Sequence, residues 1–132
     1  MKLCLKHKKG LLKKYQVDII KDFILELQKK IPLVGQVEIE FLDKRKGHMT
    51  TGSYTDKKHL IKVLFKNRML ADILRTLSHE WAHCYDHQKK HIKDRNPIGG
   101  KSEDYANEKS GEITKSYIKN HPKKTKEIFK LV

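Results

Sequence analysis

LADILRTLSHEWAHCYD, residues 70–86, is the stretch on which the reading of this chain turns. Leu70, Leu74, Leu77, Trp81 and Tyr85 recur at spacings of four, three, four and four, the period of one apolar helix face. Thr76, His79, Glu80, His83 and Asp86 fall on another face. The spacing therefore predicts an amphipathic helix from about Met69 to about Lys90. On such a helix residues four apart lie one above the other, so His79 and His83 can close on one ion.

His79-Glu80-Trp81-Ala82-His83 reads H-E-x-x-H. Two imidazoles at this spacing suit Zn²⁺, and the adjacent glutamate then lies where it can act on water beside the metal. The pattern points to a zinc hydrolase, most often a peptidase, with Glu80 as general base. The plainer alternative is a solvated helix with two exposed histidines. His87 and His91 continue the four-residue ladder, and their plain reading is likewise solvated side chains near a helix end.

Working outward, the rest of the chain predicts an α+β domain. Val17, Ile20, Phe23, Ile24, Leu27 and Ile31 have helical spacing, so a helix is expected over residues 11–30, ending at Pro32. Val37, Ile39 and Phe41 alternate with Glu38 and Glu40, the pattern of a half-buried strand. A second strand is expected over His48 to Thr55 and a third over Leu60 to Phe65. Turns are expected around Lys44–Gly47 and Asp56–Lys58. Asn96-Pro97-Ile98-Gly99-Gly100 reads as a loop. A helix from about Ser102 to Asn120 and a short one from about Lys123 to Val132 complete a three-stranded, single-domain scheme over residues 1–132. Lys2 to Lys14 gives no clear signal.

Composition sets outer limits. The chain has 132 residues and a formal net charge of +14, from 30 basic and 16 acidic side chains. Such a surface attracts polyanions, so nucleic acid is a candidate partner. Only four of the basic residues are arginine, the better side chain for bidentate phosphate and base contacts, and lysine supplies the rest. The charge reads chiefly as a solubilising coat. No run of apolar residues is long enough to span a membrane, and no signal peptide is visible. A cytoplasmic setting is expected, with leaderless export as the alternative. Two cysteines, Cys4 and Cys84, make no disulfide framework. Cys84 reads as a small core residue, and Cys4 as a remote candidate for a thiolate capping the metal.

Catalytic zinc usually takes three protein ligands and one open position. The position six residues after His83 is Lys89, and the position three after it is Asp86, so the metzincin pattern is excluded. The remaining candidates are His91, Asp94, Glu103, Asp104, Glu108, Glu112 and His121. Glu103, Ala106, Ser110, Ile113 and Tyr117 share one helical stripe whose small residues permit close approach of another helix. Glu103 is the only carboxylate on that stripe, whereas Glu108 and Glu112 lie toward solvent. Glu103 also follows Ser102, a candidate N-cap, so a first-turn charge interacting with the helix dipole is its competing role.

H-E-x-x-H followed by Glu103-Asp104-Tyr105-Ala106 resembles the gluzincin group of zinc metallopeptidases. That group includes minimal single-domain forms, lethal-factor-like protease domains and ImmA/IrrE-type repressor-cleaving peptidases. Asp86 and the runs Thr51-Gly52-Ser53-Tyr54 and Leu60-Ile61-Lys62-Val63 are similar to the same group. The resemblance covers roughly residues 48–120. It implies a zincin-like fold and one Zn²⁺ per chain on His79, His83 and Glu103. Glu80 is then the general base, and the substrate a protein or peptide. Asp86, one turn after His83, is expected to accept the free N–H of His83, with an exposed helical aspartate as the alternative. Tyr105 stands where many relatives have glutamate, and Asn96 falls near the position of an assisting tyrosine. Tyr54, Tyr105, Tyr117 and His91 are the candidates for stabilising an oxyanion. An exposed strand edge near Ser53 and Tyr54 would bind an extended peptide. The alternatives are a SprT-like protease acting on DNA-associated proteins, with a histidine as third ligand, and a non-enzymatic basic nucleic-acid-binding module. A C-terminal segment folded over the site would make the protein latent.

Overall fold

The computed structural model describes residues 1–8, 10–45, 49–56, 59–89 and 100–130. The elements in chain order are β1 (Lys2–His7), α1 (Lys14–Lys30), β2 (Gln36–Leu42), β3 (Gly52–Thr55), β4 (Leu60–Leu64), α2 (Leu70–Lys89) and α3 (Lys101–Asn120). A 3₁₀ turn (Pro122–Lys124) and α4 (Thr125–Ile128) follow. The fold is α+β, as expected, but the sheet has four strands instead of three. Lys2–His7, which carried no clear signal, forms the added strand.

The strand order is β1-β2-β4-β3. β1 and β4 flank β2 in parallel, and β3 runs antiparallel to β4 at the far edge. Alternation along the strands puts Val37, Ile39, Phe41, Ile61 and Val63 inward, where they are buried. Glu38, Glu40 and Lys62 sit on the other, more open face. The Lys6 ammonium meets Glu38 there at 2.6 Å.

α2 covers the inner face. Leu70, Leu74, Leu77 and Trp81 are fully buried, as their spacing predicts. The β4–α2 junction is short and depends on Asn67, whose φ of 62° lies in the left-handed region that asparagine tolerates better than most residues. Arg68 ties the junction down. Its guanidinium donates to Leu64 O at 2.6 Å, Asp72 O at 3.2 Å and Thr76 Oγ1 at 2.8 Å. α1 packs through Ile20, Phe23, Ile24 and Leu27, and the Phe23 ring meets Tyr117 of α3 edge-on at 5.1 Å. Tyr117 OH donates to Asp22 at 2.7 Å, and Lys124 donates to the same carboxylate oxygen at 2.8 Å.

Among the described residues, no part of the C-terminal segment lines the cleft at the H-E-x-x-H face. Ile128 is buried in the core, and Lys130 O accepts the Leu70 N–H at the start of α2. The expected helix to Val132 is confined to Thr125–Ile128, and residues 131–132 lie outside the described residues. So do residues 46–47 and 57–58 of the expected turns, His48 of the expected second strand, the loop residues 96–99, Lys90, His91 and Asp94. Cys84 is buried, as a core residue should be.

Trp81 Nε1 donates to Ile31 O at 2.8 Å inside the core. Replacing Trp81 by Phe strands that buried carbonyl and leaves a gap. Trp81→Phe should therefore lose about 1–3 kcal/mol of stability. Urea unfolding followed by far-ultraviolet circular dichroism measures it.

Candidate metal centre

His79 and His83 lie one turn apart on the α2 face directed at α3. α3 comes close because its facing stripe is small: Ala106 and Ser110 are buried, and Thr114 Oγ1 lies 3.2 Å from Ser78 Oγ of α2. Glu103, in the first turn of α3, is thereby carried against both imidazoles. His79 Nε2 lies 3.0 Å from Glu103 Oε1, His83 Nε2 lies 3.0 Å from Glu103 Oε2, and the two Nε2 atoms are 3.2 Å apart.

His79, His83 and Glu103 are the one group of this kind among the described residues whose ligand atoms converge closely enough to hold a metal ion. The donor set fits. Zinc bonds of about 2.0–2.1 Å in a tetrahedron put neighbouring ligand atoms about 3.3 Å apart. Unprotonated imidazole nitrogens and carboxylate oxygens at such distances repel one another unless a proton or a cation lies between them. Burial holds the His79 pKa below its ordinary value, against the opposing pull of Glu103. That favours the neutral ring a metal requires.

The His83 tautomer follows from its other neighbour. Ser102 Oγ donates to Asp86 Oδ2 at 3.0 Å, which uses its only proton. The 3.2 Å contact between Ser102 Oγ and His83 Nδ1 is therefore an Nδ1–H donating to the serine. Nε2 of a neutral His83 then carries its lone pair toward Glu103 and His79. The sequence led to a direct Asp86–His83 bond and to Ser102 as N-cap. Instead Ser102 stands between the two, and the N-cap is Gly100, with φ 91° and ψ −179°, a conformation open chiefly to glycine. Asp86 is fully buried, so it is no solvated helical aspartate.

Glu80 lines the same cleft and is buried, with relative exposure of only 7%. Burial, reinforced by the Glu103 charge, pushes its pKa up to about 8. A cation held by the neighbouring triad acts in the opposite direction and favours the carboxylate. The cleft has a volume of about 910 Å³ and runs between α2, α3 and the edge strand β3.

The other candidates are elsewhere. Asp104, Glu108 and Glu112 are exposed on α3. The His121 ring stacks on Tyr117 at 4.2 Å, with Nδ1 at 2.8 Å from Tyr117 O. His91, Asp94 and Asn96 lie outside the described residues. Of the tyrosines proposed for an oxyanion, Tyr54 lines the cleft, with its hydroxyl 2.9 Å from His87 Nδ1. Tyr105 and Tyr117 are engaged with the core instead. Cys4 lies in β1, at the sheet edge opposite β3, and does not line the cleft. Residues missed from sequence are Ser102, as a bridge, and Gly52, which lies against Thr76 and Glu80.

Comparison of the chain with protein-family models, curated proteins and solved structures finds no match. Among the described residues no helix is long and apolar enough to cross a membrane.

Two outcomes follow from this geometry. Ser102→Ala removes the acceptor of the His83 N–H, and zinc affinity should fall about 10–100-fold, read by chelator competition. In the metal-free protein Glu80 is protonated when folded up to pH about 8, but ionises near 4.5 when unfolded. The folded state thus binds more protons between those values, and stability falls as pH rises through that window. Glu80→Gln should flatten this fall and leave the metal-free variant more stable than the native chain at pH 8, measured by chemical denaturation.

Proposed function

We propose that this chain is a zinc-dependent endopeptidase of the gluzincin type with a zincin-like fold, one Zn²⁺ being held by His79, His83 and Glu103. The observation that carries the reading is the convergence of two histidines and a carboxylate beside a buried glutamate, in a cleft bordered by an edge strand. Three protein ligands among the described residues leave a fourth position open, as at a catalytic rather than a structural site. A carboxylate as third ligand favours this type over a SprT-like protease, which needs a histidine there.

When bound, zinc serves as a Lewis acid and makes hydroxide available near neutral pH. Glu80 accepts the proton of the attacking water and returns it to the leaving amine nitrogen. The Ser102–Asp86 pair holds the His83 ring in its ligating tautomer. β3 is paired by β4 on one side, and an extended peptide adds along the other, with Tyr54 and residues 49–53 beside its side chains. Low solvent access at Glu80 keeps its proton transfers within the site. The net charge of +14 favours acidic protein substrates or proteins already on nucleic acid.

The native chain should bind one zinc, with strong loss in His83→Ala and Glu103→Ala variants shown to be folded. Glu80→Gln should keep the zinc and lower cleavage of a quenched-fluorescent peptide library by about 10²–10⁴-fold. Elemental analysis and the cleavage assay read both. A folded, zinc-free native protein after metal addition would sink the proposal.

A further inference from the structure

Gly52 opens β3 where that strand crosses α2. A β-carbon built on it would lie 2.5 Å from Thr76 Cγ2, 3.1 Å from Glu80 Cγ and 3.2 Å from Lys62 O. The first distance is far below ordinary van der Waals contact, and the other two are tight. The backbone of Gly52 is not in the left-handed region. Space, not conformation, therefore excludes a larger residue here.

Each neighbour is fixed from another side. Lys62 O belongs to β4, whose Lys62 is in register with Ser53. Thr76 Oγ1 accepts from Arg68, which is bonded in turn to Leu64 O and Asp72 O. Glu80 is buried one turn beyond Thr76 on the same helix face. A side chain at position 52 can be relieved only by moving β3 off α2 or by displacing Thr76 and the Glu80 stem. Either movement acts first on Thr76 and Glu80 and not on the three ligand side chains, because the three atoms nearest to that β-carbon belong to Thr76, Glu80 and Lys62.

We infer that Gly52 is a positioning residue: by letting β3 lie directly on α2, it seats the Glu80 side chain beside the triad of His79, His83 and Glu103. The inference deepens the hydrolase reading and rests on it for the role of Glu80, but the contact stands on its own geometry.

The test compares the native chain, Gly52→Ala, Thr76→Ser and the double variant, each loaded with zinc and, separately, with cobalt(II). Thr76→Ser deletes the Cγ2 that collides and keeps the hydroxyl that receives Arg68. Gly52→Ala should bind one metal ion with near-native affinity, yet show altered visible absorption of the cobalt protein, because a carboxylate displaced beside the triad changes the solvent ligand that completes the cobalt coordination. Its peptide cleavage should fall about 10–100-fold, since small misplacements of a catalytic group are costly. The double variant should recover most of the native spectrum and rate. A Gly52→Ala protein with a native cobalt spectrum overturns the inference, even if its unfolding temperature drops. So does a double variant as perturbed as the single one. If Gly52→Ala fails to fold, the double variant decides: folded with a native spectrum it supports the inference, and unfolded it overturns it. Absence of cleavage by the native chain would remove the hydrolase reading, while the spectra still decide the role of Gly52.

Discussion

The close approach of α2 and α3 is the contact on which the site depends. An α-helix alone can offer His79 and His83 as a pair, but a pair does not make a three-ligand site. The third group arrives because Ala106 and Ser110 leave room, and because the hydroxyls of Ser78 and Thr114 meet at the same interface. Larger side chains along that seam would hold Glu103 away from both imidazoles. The seam is polar as well as tight. Ser102 and Asp86 are buried in it beside His83, so the residues that join the helices also orient a ligand. Buried polar groups of this kind are costly unless partnered, and here partnership and site geometry are the same set of bonds.

The sheet plays the complementary part. Its inner face supplies an apolar floor of Ile39, Ile61 and Val63 that holds α2, whose Trp81 is fully buried. Its edge strand supplies one wall of the cleft. Arg68 ties this floor to the helix that covers it, because its guanidinium reaches the end of β4 and the first turns of α2 at once. Glu80 is thus enclosed from three sides, which explains both its low exposure and its raised pKa. A group so placed is sensitive to the charge beside it. Filling the triad with a cation changes the protonation of Glu80 more than any distant surface charge can.

Much of this was legible in the chain because it is periodic. The apolar stripe of residues 70–85 and the stripe from Glu103 to Tyr117, small at Ala106 and Ser110, follow from helix geometry alone. They place His79, His83 and Glu103 on facing surfaces before any contact is known. β1 was not legible. Leu3 and Leu5 alternate with Lys2, Cys4 and Lys6, but the strand exists by pairing in parallel with residues 36–41, a partner far away in sequence. Ser102 was misread because a hydroxyl just before an acidic first turn suits an N-cap equally well. The left-handed Gly100 takes that position and leaves the serine as the second residue of the helix. Gly52 in a strand looks like a weakness until the distance to α2 is known. Its meaning is tertiary, and no local pattern carries it.

Trp81 has a consequence of an optical kind. It is the chain's single tryptophan, sits between Glu80 and Ala82, and is shielded from water with its indole nitrogen bonded to Ile31 O. All indole fluorescence of this protein therefore originates next to the triad, from a dry and rigid environment. A coloured ion such as cobalt(II) or copper(II) at the triad lies within energy-transfer range of that ring and will quench it, whereas colourless zinc will not. The protein thus carries a built-in reporter that would distinguish a coloured ion added at the triad from zinc, without any label.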